Sequence, residues 1–568
     1  MMARNLVLRQ IKDLRTLRKF SRSCILYRND DYIIKSPISD ITMPNMRLMD
    51  RLWLFSSSFQ DHVAIECAVT KKKYTYKKIM KHMAVFATSL RKKLGLNPND
   101  IVISLLPNIP EYPVVALGTI QAGCIFSSVN PIYKEAEICH QMSITEPKVV
   151  VTIPECYDTV VKALKMAKSQ AKIVLIDNPN KAVPEGAIRY TEIAETDDVD
   201  YALLDKVEKN LEDVALIPFS SGTTGLPKGV EITYKNLIAG LEVMAKEENC
   251  FPILTNGNQQ DVVPCILPFF HIYGMVVTLL GHFVKGCKLI TLPRFSANTY
   301  FDVLKNQNPT ILYVVPPVAI LLGKHPEVTK DHLKHVKFMV CGAAPLSASD
   351  ANAVLEKSNG KLEFKQGYGA TETTSLTTST LIGATDIDYS SCGMPLANTE
   401  IMFLGSDGKP VPIGEPGEFC TRSPTVMKGY YKNEKATKES MTEDGFFKTG
   451  DLGHYDPKYG FYVTDRIKEL IKVKGMQVAP AELEGLLRSH PAVADAAVIG
   501  VPHEYFGEAP KAFIIKKGGQ NTSPEELQDF VANKVASFKK IEEVVFVDDI
   551  PKTTSGKILR KELKKMYA

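Results

Sequence analysis

Several absences narrow the possibilities before any motif is considered. The eleven cysteines include no Cys-x-x-Cys pair and are odd in number, which argues against a disulfide framework and fits reduced thiols in an intracellular compartment. Zinc-type spacing is missing too. His332 and His335 stand three apart without further ligands beside them, and His503-Glu504 lacks a second histidine four residues on, so both read as solvated. The longest apolar stretches, around Tyr112–Phe126 and Met275–Val284, are interrupted by Gly or His and fall short of the ~20 residues a spanning helix needs. No transmembrane segment is expected, which leaves only peripheral contact with a membrane. Charge of one sign is also scarce. The net charge is +5 over 568 residues, no Lys/Arg run is interleaved with aromatics, and nucleic acid is therefore not an expected partner.

What is present is an ordinary globular composition, 45% hydrophobic and 23% charged, in a chain too long for one core at roughly 100–200 residues per domain. Its most informative stretch is Phe219-Ser220-Ser221-Gly222-Thr223-Thr224-Gly225-Leu226-Pro227-Lys228-Gly229-Val230. A buried-strand pattern, Val214–Pro218, precedes it and a β-like run, Val230–Thr233, follows. A loop of Gly, Ser and Thr between two strands exposes backbone N–H groups and hydroxyls without obstruction by Cβ atoms, so it can wrap phosphate oxygens, and Lys228 adds a full positive charge. It is not a Walker loop, because Pro227 precedes the lysine, Gly229 follows it, and no helix opens there. Taken alone, the stretch could equally be a flexible surface turn.

The chain around this loop divides by texture. The first residues, with Arg4, Arg9, Lys12, Arg15, Arg18, Lys19 and Arg22 against the single acid Asp13, place Val7, Ile11, Leu14 and Leu17 at helical spacing. This basic, amphipathic start (1–39) resembles a mitochondrial transit peptide; the alternatives are a surface helix or a frayed extension of a cytoplasmic protein. The end, Lys564-Lys565-Met566-Tyr567-Ala568, is not a peroxisomal signal. From residue 40 helices alternate with strands: Tyr74–Leu94 helical, Ile101–Leu105 a strand, Glu111–Ala122 helical, Val149–Ile153 and Ile173–Ile176 strands. A second set follows the loop, with Asn236–Lys246 helical, Val262–Leu267 a strand, Met275–Leu280 helical, and strands near Leu289, Ile311–Val315 and Phe338–Cys341. Such alternation predicts two α/β units with parallel sheets and a ligand crevice between them. Short β runs after Ala384 predict a small β unit, and the last hundred residues a compact α/β piece. The expected division is 40–465 for a large domain and 466–568 for a small C-terminal one.

Four further clusters carry chemistry. In Gln366-Gly367-Tyr368-Gly369-Ala370-Thr371-Glu372-Thr373 an aromatic between glycines can lie beside an adenine while the next carboxylate approaches a phosphate-bound Mg²⁺. In Phe447-Lys448-Thr449-Gly450-Asp451 the carboxylate could accept ribose hydroxyls; Asp465-Arg466-Ile467-Lys468 follows, and then the lysine-rich run to Lys472, Lys474 and Gly475. Pro268-Phe269-Phe270-His271-Ile272-Tyr273-Gly274 sets an imidazole among aromatics, and Pro551-Lys552-Thr553-Thr554-Ser555-Gly556-Lys557 delivers a lysine near the chain end.

With the glycine loop, these blocks resemble the acyl-adenylate-forming superfamily of acyl-CoA synthetases, luciferases and peptide-synthetase adenylation domains, and most of all its 4-coumarate:CoA ligase-like branch. The resemblance implies a large N-terminal domain of two packed α/β subdomains plus a β-barrel-like subdomain, and a small mobile C-terminal domain. It also implies a two-step, Mg²⁺- and ATP-dependent ligation of a carboxylic acid to coenzyme A through an acyl-adenylate. By the same resemblance ATP is held by Ser220, Ser221, Gly222, Thr223, Thr224 and Lys228, by Gln366, Gly367 and Tyr368, and by Thr371 on the α-phosphate. Glu372 and Thr224 attend the metal, Asp451 and Arg466 the ribose. Lys468 is the hinge of the C-terminal domain, and Lys557 and Lys472 serve the first and second half-reactions. His271 gates an acyl pocket framed by Tyr273, Ala343 and Gly367, and Arg294, Lys474 and Gly475 meet CoA.

The acid itself is less constrained. Ala370 stands where plant coumarate ligases carry Met, which puts a hydroxycinnamate in doubt and a medium or long fatty acid first, with an aromatic acid second. A luciferase-like monooxygenase would reuse the same residues. A non-catalytic acyl-CoA or nucleotide sensor would be expected to have lost a catalytic lysine, yet Lys228, Lys472 and Lys557 are all present.

Overall fold

The computed structural model describes residues 32–567 apart from 177–181, 208, 221–225, 359, 375, 474–475, 504 and 554–555. The basic start and the centre of the glycine loop lie outside the described residues.

Strands Ile101–Leu105 and Val149–Thr152 are buried at every position, which is why they read as apolar runs broken only by Ser104 and Thr152: a parallel strand covered on both faces has no solvent side. They are central in a nine-stranded sheet. Every pairing in it from Val214–Ile217 through Ile125–Ser128, Ile101–Leu105, Val149–Thr152 and Lys172–Leu175 to Ala187–Arg189 is parallel. Helices Tyr112–Gln121 and Pro154–Met166 supply two of the crossovers. At the other end of this sheet Phe219–Ser220 pairs antiparallel with Lys228–Thr233, so the glycine loop links strand to strand. Gly429–Tyr430 adds to the far side of Lys228–Thr233.

The second α/β unit has Ile311–Val314, Phe338–Cys341 and Glu363–Gly369 in parallel, then Leu376–Ser379 and Met394–Pro395 antiparallel. A four-stranded sheet of Val262–Cys265, Lys288–Thr291, Val63–Cys67 and Lys73–Thr75 borders it, joined where the Thr310 N–H donates to the Val262 carbonyl at 2.9 Å. Two helix expectations are corrected here. Helix Tyr76–Lys92 begins later than Tyr74 because the Thr75 hydroxyl accepts from the Lys78 N–H and caps it, leaving Tyr74 in a strand. The segment expected as an α-helix over Met275–Leu280 is π-helical over Tyr273–Leu280, a winding that recurs at functional sites. Its second residue is Gly274, where a Cβ would come within 2.0 Å of the Pro268 carbonyl oxygen.

The small β unit is a five-stranded antiparallel sheet, Ile34–Lys35, Glu400–Leu404, Gly417–Arg422, Phe447–Asp456 and Gly460–Arg466, packed around Phe403, Phe419 and Phe461. Its last two strands place Asp451 opposite Arg466. Beyond Arg466 the chain enters another sheet at Ile471, built with Met476–Val478, Gly507–Lys516, Val493–His503 and Glu543–Phe546. Helices Pro480–Arg488 and Pro524–Ala532 cover it, each opened by a proline whose missing N–H costs nothing there. A core of its own, including Leu483, Val498, Ile514 and Leu527, makes this piece a domain in the physical sense. The architecture is thus mixed α/β, a large N-terminal domain followed by a small C-terminal one.

Candidate active site

Segments far apart in sequence converge on Glu372, which sits in the 3-10 turn Thr371–Thr373 just past the strand Glu363–Gly369. Its Oε1 accepts from the Ser220 hydroxyl at 2.6 Å and from the Tyr430 hydroxyl at 3.0 Å. The Lys228 ammonium lies 4.9 Å from the centre of the same Tyr430 ring. One flank of the glycine loop therefore meets the acid directly through Ser220 and the other through the Tyr430 ring. Thr371 is buried beside Glu372.

A second group forms along the antiparallel sheet. The Tyr368 hydroxyl donates to Asp451 Oδ2 at 2.6 Å, and Arg466 Nε lies 3.2 Å from Asp451 Oδ1. Burial works against the Arg466 charge, but the Asp451 and Glu469 carboxylates hold its pKa above the ordinary value. Each carboxylate oxygen has a further lone-pair site, so Asp451 can still accept from a ribose. Tyr368 was expected beside an adenine; its hydroxyl is anchored to Asp451. The Gln366 amide donates to the carbonyls of Tyr389 and Leu346.

The C-terminal domain closes over this arrangement. The Lys557 N–H donates to the Thr553 hydroxyl at 3.0 Å. Gly556 has φ +79°, and a Cβ on it would lie 3.0 Å from Pro317 Cδ and 3.3 Å from Val315 Cγ2 of the large domain. The half-buried Lys557 comes within electrostatic reach of Arg466, Asp451, Glu372 and Glu469. Burial first, then the Arg466 charge, pull its ammonium down to about 8 against the three carboxylates. His271 feels Lys557 in turn: burial and that neighbouring cation lower its imidazole to about 4, so it is neutral at physiological pH. Its Nδ1 accepts from the Tyr273 N–H at 3.2 Å.

Between the domains, Asp465 accepts the N–H groups of Arg466 and Ala481 at 2.7 and 3.0 Å. Burial raises its carboxyl to about 6 despite the Arg560 charge. Arg560 bridges Glu469 and Glu484. Lys468 stands in the connection, its pKa lowered by burial, Lys228 and Lys561.

The expected acyl-pocket residues also meet. The Tyr273 hydroxyl donates to the Val340 carbonyl at 3.3 Å, and a Cβ on Gly342 would lie 3.6 Å from the Tyr273 ring and 3.1 Å from the Gly367 carbonyl oxygen. Ala343 follows with φ +72°, a conformation that is strained for any residue with a Cβ. Two expected residues are not brought in. Lys472 is exposed on the strand Ile471–Val473 and its backbone N–H donates to Glu508 at 2.8 Å; Arg294 is exposed. Ser221, Gly222, Thr223, Thr224, Lys474 and Gly475 lie outside the described residues. Tyr430, Glu469 and the Val315–Pro317 seat of Gly556 were not singled out from sequence, because each is defined by a partner distant in the chain.

Among the described residues no group of three or more His, Cys, Asp or Glu could hold a metal ion. That suits Mg²⁺ arriving with ATP, which keeps its waters and takes only one or two carboxylates beside the phosphates. Glu372 fits: among the described residues its side-chain hydrogen bonds both fall on Oε1.

A Ser/Thr/Gly hairpin loop with a lysine, facing an acid, an anchored Asp–Arg pair and a lysine delivered by a second domain, defines a nucleotide-dependent acid-activating enzyme. The AMP-binding enzyme model matches residues 55–431, and the AMP-binding enzyme C-terminal domain model matches 482–557. The 4-coumarate–CoA ligase 1 of Arabidopsis thaliana is 35% identical over 546 residues, covering 95% of this chain and 96% of that protein. The ATP-bound structure of MatB from Rhodopseudomonas palustris, at 27% identity over 92% of this chain and 99% of that one, superposes with a TM-score of 0.81. The apo structure of the same protein gives 0.72. The chain belongs to the AMP-binding enzymes, in the branch of 4-coumarate–CoA ligases and acyl-CoA synthetases, and it is an adenylate-forming CoA ligase of that family.

Proposed function

We propose that this enzyme joins a carboxylic acid to coenzyme A in two steps, with the residues above in separate roles. In the first, a carboxylate oxygen of the acid attacks the α-phosphorus of ATP, the Pα–O bond to the β-phosphate breaks, and pyrophosphate leaves. In the second, the CoA thiol loses its proton and attacks the acyl carbonyl, and AMP leaves. Ser220 and Lys228, with 221–225 between them, hold the β- and γ-phosphates, and Thr371 meets the α-phosphate. Asp451, kept in place by Tyr368 and Arg466, accepts the ribose hydroxyls. Glu372 and Thr224 would hold Mg²⁺, which would supply positive charge against the phosphates. The carrying observation is Lys557: a lysine from the end of the chain stands beside Glu372, Asp451 and Arg466, where it stabilises charge developing on the bridging oxygen. Neutral His271 next to it lets the acid's carboxylate approach without binding it as an ion pair. The higher similarity to the ATP-bound than to the apo structure of MatB supports reading this domain arrangement as the adenylating one. Rotation about Lys468 would then withdraw Lys557 and bring in Lys472, with Arg294 and 474–475 toward CoA.

For the acid, the two readings are a medium or long fatty acid and an aromatic acid. The names of the curated relatives favour the aromatic reading; Ala370 favours the aliphatic one. The test is acid-dependent pyrophosphate release over a panel of aliphatic and aromatic acids, followed by thioester formation with CoA. Release with no acid in the panel would refute the ligase reading. We further propose that the basic segment 1–39 directs the protein to mitochondria. A reporter fused to it should be imported and processed, and a diffuse cytosolic signal would refute this.

A further inference from the structure

The hydrogen bonds around the interdomain connection mark where one rigid body ends and the next begins. Ile467 is fastened to the large domain, its N–H donating to the Gly450 carbonyl at 3.0 Å. Glu469 is fastened to the small one: its carboxylate pairs with Arg560, which also reaches Glu484 Oε1 at 2.7 Å and the Val498 carbonyl at 3.1 Å. Lys468 lies between them. Two hydrogen bonds nevertheless span this point. The Glu469 N–H donates to the Arg466 carbonyl at 2.9 Å, a backbone turn that does not depend on any side chain. The other does: Asp465, near the end of the large domain's strand Gly460–Arg466, accepts the Ala481 N–H of the small domain on Oδ2 at 3.0 Å.

The helix Pro480–Arg488 gives that bond its weight. Its N-cap residue is Ala479, which has no side-chain acceptor, and Pro480 opens its first turn. A helix start leaves N–H groups that a capping side chain ordinarily takes; here the Ala481 N–H is taken from across the domain boundary. Asp465 is 6% exposed, and its Oδ1 accepts the Arg466 N–H at 2.7 Å. A carboxylate in this place also sits at the favourable end of the helix dipole. The charged side chains facing it are Arg560 and, on the same helix, Glu484; burial outweighs the Arg560 cation and raises the carboxyl to about 6.

Resting on the rotation about Lys468 proposed above, we infer that Asp465 is a positioning residue for the first half-reaction: by capping the helix Pro480–Arg488 it latches the small domain in the arrangement that delivers Lys557. Rotation separates Asp465, which stays with the large domain, from Ala481, which leaves with the small one. The latch therefore sets how the enzyme divides its time between the two arrangements. Each half-reaction runs in proportion to the population of its own arrangement, so weakening the latch lowers the ratio of adenylation to thioester formation whichever arrangement predominates. Damage to the fold, by contrast, slows both steps and leaves that ratio alone.

The full-length enzyme would be assayed for the two half-reactions separately, as acid-dependent pyrophosphate release and as thioester formation from a supplied acyl-adenylate and CoA, with folding checked by thermal unfolding. Asp465→Asn removes the charge at nearly constant shape. Ala481→Pro removes the donor instead, and this chain already opens the helix Pro316–Lys324 with two prolines, so a second proline is compatible with a helix start. In either variant the ratio should fall about ten- to a hundredfold, the range for losing a hydrogen bond to a charged group. About nine-tenths of Asp465 is protonated at pH 5 and very little at pH 7.5. The difference in ratio between the unmodified enzyme and Asp465→Asn should therefore shrink at least about fivefold from pH 7.5 to pH 5. A ratio unchanged in a folded variant, or a difference that does not narrow with acid, overturns this inference; where Lys557→Ala and Lys472→Ala still separate the two steps, the rotation stands without it. If those lysine variants each slow both steps equally, the rotation reading falls and this inference with it.

Discussion

Removal of Lys557 is the sharpest perturbation, because the geometry gives both its size and its pH dependence. Lys557 is one cation among Arg466, Asp451, Glu372 and His271, and burial with the Arg466 charge brings it to about 8. The protonated form is the one that stabilises developing negative charge. It is present below that value and lost above it, so roughly nine-tenths is charged at pH 7 and one-tenth at pH 9. Acid-dependent pyrophosphate release, as kcat/KM for ATP in the free enzyme, should therefore fall about tenfold per pH unit above 8. His271 adds no acid limb above about pH 5, since its value is about 4. Lys557→Ala should lower the release rate about 10²–10³-fold, the usual loss for a positioned electrostatic stabiliser, and should abolish the alkaline limb. Lys557→Arg, charged throughout, should also lack the limb at whatever rate it retains. With a supplied acyl-adenylate and CoA, Lys557→Ala should form thioester at close to the unmodified rate. If Lys557→Ala slows both half-reactions equally, or if the alkaline limb persists in it, the assignment of Lys557 to adenylation is wrong.

Four further outcomes are expected. Lys472→Ala, at an exposed strand position in this arrangement, should form acyl-adenylate normally and turn it over slowly with CoA; parallel losses in both steps would count against domain rotation. Asp451→Ala leaves the Arg466 charge and the Tyr368 hydroxyl without their partner and should weaken ATP use about ten- to a hundredfold, read as kcat/KM for ATP in a variant whose unfolding shows it folded. Gly556→Ala adds a Cβ at φ +79° and 3.0 Å from Pro317 Cδ, so it should slow pyrophosphate release while sparing thioester formation, and equal rates in both steps would refute the docking role. Tyr430→Phe keeps the ring under Lys228 but removes a donor to Glu372; the Mg²⁺ concentration for half-maximal adenylation should change by several-fold, with the KM for the acid unmoved.

Much of this arrangement was legible before the structure because the chemistry sits in contiguous blocks. Strands such as Ile101–Leu105 and Phe338–Cys341 were readable residue for residue, since burial on both faces leaves them almost wholly apolar, Ser104 being the one polar residue of the first. The glycine loop was readable as strand, loop and strand because nothing after Lys228 opens a helix. Helix starts were less legible: Tyr76 is fixed by a Thr75 hydroxyl bond that competes with an equally helical-looking Tyr74. The π-helical winding at Tyr273–Leu280 has no period distinct enough to separate it from an α-helix in eight apolar residues.

The residues that escaped the sequence share a different property, which is that their meaning lies in a partner far along the chain. Tyr430 follows a glycine in a β-rich stretch and looks like any strand aromatic until it is found 58 positions from the acid it steadies. Asn249 and His282 look like a turn residue and a helix-end cation in sequence. Only the fold buries both and leaves His282 Nε2 and the Asn249 amide atoms without a hydrogen-bond partner among the described residues. The blocks that do the common chemistry must be contiguous, because a phosphate loop or a hinge is made of neighbouring backbone. The choice of acid has no such requirement: a pocket wall is assembled from single side chains on separate elements, each replaceable without disturbing the others. That is why Ser220, Glu372, Asp451 and Lys557 could be singled out from sequence, and why the identity of the acid could not be read there.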